Sequence, residues 1–195
     1  METQEALEIV SYKLGLKLGA EALEDTVLLR ETVQQAIADN SAGSPKAIDL
    51  RQYMQATKLV KLERLRLGKV AGEEFLANNL TKEGVLSTES GLQFRVIKQG
   101  CGPKPTAESS VTVDYQGQFI DGTIFESSAT LGKPSTFLVN KVIRGWKEAI
   151  QHMQVGAEHE FFIPQHLAYG ERGTESGIPP YATLIFRLKL ISINH

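Results

Sequence analysis

The sequence has very few of the groups that build disulfides, metal sites or membrane spans. Cys101 is the only cysteine among 195 residues, which excludes an intramolecular disulfide and a site made of several thiolates. No apolar run approaches the ~20 residues that cross a bilayer, so no membrane association is expected. The formal net charge is only -2, and the lack of a strong basic field argues against nucleic acid as a partner.

The start of the chain lacks the basic residues and apolar core of a signal peptide. The segment from Met1 to Glu5 is polar and acidic instead. We therefore expect a cytoplasmic protein, with the periplasm as the alternative if a signal peptide has been removed from the chain.

Side chains suited to covalent or metal chemistry do not form a recognisable pattern. His152, His159 and His166 are not spaced with carboxylates as metal ligands usually are, so we expect no metal site. Ser127 and Ser128 lack the strand-turn-helix context of a hydrolase nucleophile. The sequence thus predicts neither a metal nor another cofactor, and any catalysis is expected to be non-covalent.

The first half of the chain has the spacing of amphipathic helices. Apolar residues recur every three or four positions at Leu7, Val10, Leu14 and Leu18, and again at Leu23 and Val27. The turn-rich segment 40–45 interrupts the pattern.

A second helical pattern is much longer than the first. It starts at Asp49, a good N-cap, and reaches about Asn79, which gives a helix of about 45 Å. A helix of that length exceeds what a small domain covers, so part of it is expected to be a stalk. Its apolar positions predict a single stripe through Leu50, Met54, Thr57, Val60, Leu67, Ala71 and Phe75.

The second half of the chain alternates apolar and polar residues with the period of β-strands. The alternating apolar positions are Leu92, Phe94 and Val96, then Val111, Val113 and Tyr115, then Leu184, Phe186, Leu188 and Leu190. Asp121-Gly122 predicts a tight hairpin turn, and a short amphipathic helix is expected from Gly145 to Met153. We predict an α+β fold, with a C-terminal antiparallel β-sheet wrapped on one short helix. An all-α N-terminal domain with a long connecting helix precedes it, and the two domains span 1–88 and 89–195.

Five motifs in the second half occur in a specific order. They are Val111–Tyr115, Asp121-Gly122 with Phe125, Val142-Ile143-x-Gly145-Trp146, Ala168-Tyr169-Gly170, and Ile178-Pro179-Pro180 leading to Phe186. By default, a tryptophan on an amphipathic helix or a tyrosine on an alternating strand belongs to a core. In this order, over about 91–193, the motifs resemble those of the FKBP family of peptidyl-prolyl cis-trans isomerases.

The resemblance implies an apolar pocket that accelerates X-Pro isomerisation during protein folding. It implies catalytic roles for Tyr115, Phe125, Glu126 and Tyr169, with the Tyr169 hydroxyl bonding a substrate carbonyl. It also implies that substrate contacts come from Val142, Ile143, Trp146, Ala168, Ile178 and Phe186, with Trp146 as the floor. Proline-containing or unfolded polypeptides are the expected partners, and the macrolides rapamycin and tacrolimus are the expected inhibitors.

The N-terminal half resembles the helical dimerisation segment of bacterial Mip-type members of this family. The resemblance is strongest in the segment 82–97, and it implies a homodimer formed through the N-terminal helices. Gly15 and Gly19 have the spacing of small residues that lets helices approach closely, which agrees with that expectation.

The chain departs from the usual family pattern at three places. Glu126 is one methylene longer than the usual aspartate, and Ser135 stands where many members have an aromatic wall residue. The loop 171–177 over the mouth of the pocket (the mouth loop) is charged and lacks a histidine. These departures leave open an alternative function, a chaperone-like module that binds unfolded chains with little or no turnover.

Overall fold

The computed structural model describes residues 1–18 and 29–194. The described residues contain four α-helices: α1 Thr3–Leu18, α2 Arg30–Ser41, α3 Leu50–Asn79 and α4 Arg144–His152. They also form seven strands: β1 Val85–Ser87, β2 Gln93–Lys98, β3 Ser110–Phe119, β4 Ile124–Ser127, β5 Ser135–Leu138, β6 Glu158–Ile163 and β7 Leu184–Asn194. The predicted α+β fold, with a helical N-terminal part and an antiparallel C-terminal sheet, is confirmed. The helical spacing at Leu23 and Val27, and the small residue Gly19, lie outside the described residues.

The chain divides by packing into two compact units, Met1–Leu67 and Gly68–His195. The division falls inside α3, so the last part of this helix packs with the C-terminal unit. The domain boundary predicted near residue 88 stays a prediction, because a packing unit and a sequence module need not share their limits. None of the described helices combines the length and the apolar character that a membrane crossing requires.

In the N-terminal unit, three helices share a small apolar core. Its buried members are Ala6, Val10, Val33, Ala56 and Val60. Asp49 caps α3 as predicted, since its Oδ1 accepts hydrogen bonds from the backbone N–H groups of Arg51 at 2.9 Å and Gln52 at 3.1 Å.

The predicted single stripe along α3 is wrong at its N-terminal end. Tyr53, Ala56 and Val60 face the core, at spacings that place them on one side of the helix. Leu50 and Met54 lie on another side and are 69% and 65% exposed. The helix therefore carries apolar residues on two sides, and among the described residues only the side of Tyr53, Ala56 and Val60 packs into a core.

The C-terminal unit is built on an antiparallel sheet in the order β1-β2-β6-β7-β3-β4, with β5 also pairing with β3. β3 is the strand on which the others converge, since it pairs with β4, β5 and β7. Along its length buried and partly exposed residues alternate, as the period-two pattern predicted. Helix α4 covers one face of the sheet and buries Trp146, Ala149 and Ile150 against it.

The last turns of α3 are bound to this sheet by side-chain contacts. The rings of Phe75 and Phe162 lie 6.0 Å apart. The amide of Asn79 donates to Gln93 Oε1 at 3.0 Å, and the amide of Gln93 donates to the Leu76 carbonyl at 3.0 Å. Since Asn79 and Gln93 are buried, these hydrogen bonds are worth more to the fold than exposed ones.

One histidine of β6, His159, is buried in an apolar setting. His159 is 4% exposed, stacks on Phe94 with ring centroids 6.1 Å apart, and lies 5.7 Å from the ring of Phe161. Neither of its ring nitrogens has a hydrogen-bond partner among the described residues. Burial lowers the pKa of His159 below its usual value, and the nearby ring of His152 lowers it further.

We expect the stability of the protein to fall as the pH drops below about 6.5, the usual pKa of an unfolded histidine. The unfolded state then binds a proton that folded His159 resists. The free energy of unfolding should decrease by up to about 1.4 kcal/mol per pH unit, until the lowered folded pKa is reached. Urea unfolding at a series of pH values measures this slope.

The His159→Leu variant should lose this contribution and show a flatter dependence on pH. His166 is an exposed histidine, so His166→Gln is the matched control and should keep the wild-type slope. If the free energy of unfolding depends on pH equally in the wild type and in His159→Leu, His159 is not the source of the dependence.

Candidate active site

The N-terminus of α4 brings the only tryptophan of the chain against the sheet. Trp146 is the third residue of the helix and is 5% exposed. Gly145 precedes it because a Cβ at that position would collide with the Ile163 side chain of β6. The glycine thus lets the first turn of α4 lie directly on the sheet, which fixes the depth of the indole.

Three aromatic side chains stand edge-on around the indole of Trp146. The ring centroid of Tyr115 lies 5.2 Å from that of the indole, with 81° between the ring planes. The corresponding values are 5.3 Å and 85° for Phe137, and 5.2 Å and 87° for Phe186. Edge-to-face contacts of this kind are favourable because the positive ring edge meets the negative ring face. The indole is therefore the floor of an aromatic cup.

The cup encloses a cavity of about 370 Å³. The residues that line it are Tyr115, Glu126, Phe137, Lys141, Val142, Ile143, Trp146, Tyr169 and Phe186. A volume of this order suits a small ring with its flanking groups. Of the predicted site residues, the structure brings Tyr115, Glu126, Tyr169, Val142, Ile143, Trp146 and Phe186 to one cavity. Their roles in binding or catalysis stay predictions.

Three predicted site residues lie beside the cavity without lining it. Phe125 packs against Phe186, with ring centroids 5.6 Å apart and 88° between the planes. Ile178 is 7% exposed and belongs to the core, and Ala168 is partly buried against the same core. Gly117 makes this arrangement possible, since a Cβ there would lie 2.6 Å from Phe186 Cε1 and 2.7 Å from Phe125 Cζ. Phe125 thus packs against Phe186, one of the walls of the cup.

Two residues of the lining, Phe137 and Lys141, were not predicted from the sequence. Phe137 lies two residues after Ser135 on β5, so both side chains point to the same side of the strand. Ser135 occupies a position where many members of the family have an aromatic wall residue. Because Phe137 is two residues further along the same strand, it is the aromatic residue on that side, and this spacing could have identified it. Lys141 ends a 3-10 helix of residues 139–141 directly before Val142, and no sequence pattern marked it.

The polar groups of the cup include two neutral phenols beside one carboxylate, with the cation of Lys141 also in the lining. The Tyr115 hydroxyl donates to Glu126 Oε1 at 2.7 Å. Burial and this hydrogen bond raise the pKa of Tyr115 to about 12. Burial also raises the pKa of Tyr169, and the charge of Glu126 adds to the effect. Both phenols therefore stay protonated and can donate hydrogen bonds at any physiological pH.

The chemistry available in the cup is binding and orientation rather than covalent attack. The carboxylate of Glu126 is engaged by Tyr115, and the indole Nε1 of Trp146 is buried with no partner among the described residues. The part of the chain that the structure describes contains no group of three or more His, Cys, Asp or Glu placed to hold a metal ion. The arrangement suits a neutral, partly apolar ligand with a carbonyl group.

Two family models together match most of the chain. The model described as the domain amino terminal to FKBP-type peptidyl-prolyl isomerase matches residues 7–96. The model described as FKBP-type peptidyl-prolyl cis-trans isomerase matches residues 101–191.

Individual relatives match over almost the whole chain. The chain is 44% identical to the FKBP-type 22 kDa peptidyl-prolyl cis-trans isomerase of Escherichia coli, over 94% of this chain and 93% of that protein. It is 47% identical to the outer membrane protein MIP of Legionella longbeachae, over 94% of this chain and 84% of that protein. Among solved structures, FkpA from Escherichia coli aligns with a TM-score of 0.68 and 28% identity, over 94% of both chains.

We expect the charge of Glu126 to set part of the pKa of both phenols. The Glu126→Gln variant keeps the size of the side chain and removes its charge, so the pKa of Tyr115 and of Tyr169 should fall towards the ordinary value of about 10. Both should remain above that value, because burial is the larger cause of each shift. An NMR titration of labelled tyrosines measures the change, and Tyr115→Phe and Tyr169→Phe assign the signals.

Asp121, a carboxylate in the hairpin turn, provides the matched control. Its Oδ1 accepts a hydrogen bond from the Thr123 N–H at 2.8 Å, a role that asparagine can also fill. Asp121→Asn should leave both titrations unchanged. A Glu126→Gln titration identical to that of the wild type would refute the electrostatic role of Glu126.

Proposed function

The chain belongs to the FKBP-type peptidyl-prolyl cis-trans isomerases, and we propose that it isomerises X-Pro bonds by holding a twisted prolyl amide in the cup above Trp146. The observation that supports this most is the aromatic cavity of about 370 Å³ with a neutral phenol, Tyr169, in its lining. Such a site binds an amide without attacking it.

The physical basis of the proposal is the charge distribution of the amide. Rotation about a peptide bond crosses a barrier of ~18–20 kcal/mol, because resonance gives the C–N bond double-bond character. In the twisted transition state that resonance is lost, so the carbonyl oxygen carries less negative charge than in either planar form. An apolar cup therefore disfavours the planar amide more than the twisted one. A million-fold rate gain requires roughly 8 kcal/mol of this difference.

The proposed roles follow from where each side chain lies. Trp146 and Phe186 receive the prolyl ring, since they form the floor and one wall of the cup. Tyr169 donates a hydrogen bond to a substrate carbonyl, and its raised pKa keeps that donor protonated. The hydrogen bond to Glu126 holds the Tyr115 ring in the opposite wall of the cup. Phe125 packs against Phe186 and keeps that ring in place.

We expect Tyr169→Phe to lower kcat/KM for an X-Pro peptide by about tenfold, the worth of one hydrogen bond of about 1.4 kcal/mol. The assay follows isomerisation of a short proline peptide and, separately, refolding of a protein limited by proline isomerisation. Phe125→Ala should also lower the rate, because Phe186 loses its support.

Tyr53→Phe is the matched control for Tyr169→Phe, because it removes a phenol hydroxyl from the N-terminal unit and should leave kcat/KM unchanged. If the wild type does not accelerate isomerisation, the proposed activity fails. If the wild type is active and Tyr169→Phe equals it, only the role of Tyr169 fails.

We also propose that two copies of the chain associate through their N-terminal helices. The support is an exposed apolar pair one turn apart on α3, Leu50 and Met54, which are 69% and 65% exposed. Large apolar side chains that neighbour each other on a helix surface are typical of a surface that packs against another chain. The match of residues 7–96 to the amino-terminal family model agrees with a dedicated N-terminal module.

Light scattering tests this association. The full chain should have twice the 21.5 kDa chain mass, and the fragment 68–195 should be a monomer. Met54→Glu should shift the full chain towards monomer, since it puts a charge on the proposed contact surface. Leu131→Glu changes a side chain that is 61% exposed in the C-terminal unit and should not. A monomeric full chain would defeat the proposal.

The second candidate function is chaperone-like binding of unfolded chains. If the chain is a monomer, the exposed apolar side chains of α3 favour it, because they are then free to hold apolar segments of an unfolded chain without the cup. The charged mouth loop and Glu126 also leave room for weak turnover. Suppression of aggregation that survives Tyr169→Phe and is lost in the fragment 68–195 would favour this function over isomerisation.

Two further expectations concern ligands and location. We propose that unfolded or proline-containing polypeptides, and macrolides such as rapamycin and tacrolimus, enter the same cup, since it offers aromatic walls and a phenol donor. Ser135 and the mouth loop would then set the affinity for each.

The expected cytoplasmic location gains no support from the relatives, one of which is named an outer membrane protein. The periplasmic alternative agrees better with that relative.

A further inference from the structure

The mouth loop is closed at its base by backbone hydrogen bonds. The Tyr181 N–H donates to the Gly170 carbonyl at 2.8 Å, which joins the two ends of the segment that contains the loop. Within the segment, the Thr174 N–H donates to the Ile178 carbonyl at 2.9 Å, and the Ile178 N–H donates to Thr174 Oγ1 at 3.0 Å. Gly170 directly follows Tyr169, so the base of the mouth loop is bonded next to a residue of the cup.

The residue that closes the base has an unusual backbone. Tyr181 has φ of 61°, and it is the one non-glycine residue with positive φ in the part of the chain that the structure describes. Residues other than glycine rarely adopt this backbone conformation, and surrounding contacts must hold it in place. One of those contacts comes from α3, where Lys69 Nζ lies 5.9 Å from the centre of the Tyr181 ring.

The last turns of α3 pack closely against this base at Gly72. A Cβ added to Gly72 would lie 2.6 Å from Thr183 Oγ1, 3.4 Å from Thr183 Cβ and 3.7 Å from the Tyr181 carbonyl oxygen. Glycine is unfavourable inside a helix, so its presence here has a packing reason. One turn earlier, a Cβ added to Gly68 would come no closer than 3.9 Å to any neighbour, the Pro180 carbonyl oxygen. The close contact is therefore specific to Gly72.

We propose that Gly72, with Thr183 and Tyr181, is a positioning element for the active site. The backbone of α3 at Gly72 fixes the segment 181–183, and the hydrogen bond from Tyr181 to Gly170 fixes the residue next to Tyr169. A side chain at position 72 would push this segment away from α3 and move the Tyr169 hydroxyl out of register with the substrate carbonyl. The inference rests on the proposed role of Tyr169 and adds a residue of the helix to the machinery that places it.

The matched pair Gly72→Ala and Gly68→Ala tests the proposal in the full chain. Both changes put the same methyl group into the same helix and give the same gain in helix propensity. Gly72→Ala should lower kcat/KM for an X-Pro peptide by about tenfold, because a small misplacement of a substrate-positioning group is costly. Gly68→Ala should stay at the wild-type value. Adding Thr183→Ala to Gly72→Ala removes the colliding Oγ1 and should restore most of the lost kcat/KM.

A double-mutant cycle separates a positioning role from general damage. If Gly72→Ala acts through Tyr169, it should cause almost no further loss in the Tyr169→Phe background. A loss by the same factor in both backgrounds would overturn the proposal. Fluorescence of Trp146, the only tryptophan, reports whether the floor of the cup is intact in each variant.

The remaining outcomes are also decisive. An inactive wild type overturns the proposed function and this inference with it, whereas an active wild type with equal Gly72→Ala and Gly68→Ala overturns only this inference. If Gly72→Ala does not fold, Thr183→Ala alone carries the test, because it removes the Oγ1 that faces α3 at Gly72. A loss of kcat/KM in folded Thr183→Ala that disappears in the Tyr169→Phe background supports the proposal, and a wild-type kcat/KM overturns it.

Discussion

The edge-to-face packing of aromatic rings on the indole of Trp146 is the contact on which the C-terminal unit depends. The indole comes from α4, and the rings around it come from β3, β5 and β7. These contacts join the helix to three strands of the sheet, and they also shape the cavity. Fold stability and site geometry are therefore properties of one cluster, and the cup has little freedom to change shape without loss of the core.

Local patterns in the sequence predicted most of the fold, and the resemblance to the FKBP family predicted much of the lining of the cup. The Asp49 cap and the extent of the helical pattern to about Asn79 predicted both ends of α3, because caps and periodicity depend on neighbouring residues. The alternation along β3 gave the buried face of the sheet. The ordered motifs gave Tyr115 and Trp146 as neighbours, although they are far apart in the chain.

The features that could not be predicted from the sequence depend on which surfaces meet in three dimensions. Leu50 and Met54 fit a helical stripe as well as Tyr53 and Ala56 do, and only the packing of the N-terminal helices decides between them. Phe125 and Phe186 both fit a cup wall, but both rings pack over Gly117 and only Phe186 lines the cavity. The need for glycine at position 72 likewise arises from Thr183, a residue more than a hundred positions later.

The pairing of β3 with β7 has a consequence for how the protein is made in the cell. β7 lies between β6 and β3, and its register joins Ser110 to Asn194 at one end of the pair. The sheet that carries the cup therefore cannot complete its strand pairing until β7, which ends at Asn194, has left the ribosome. The helices α1 and α2, in contrast, lie close together early in the chain. During synthesis, the unpaired edges of β3 and β6 wait for their shared partner, which makes this the slow and aggregation-exposed stage of folding. A catalyst of folding is thus itself dependent on a late, long-range step.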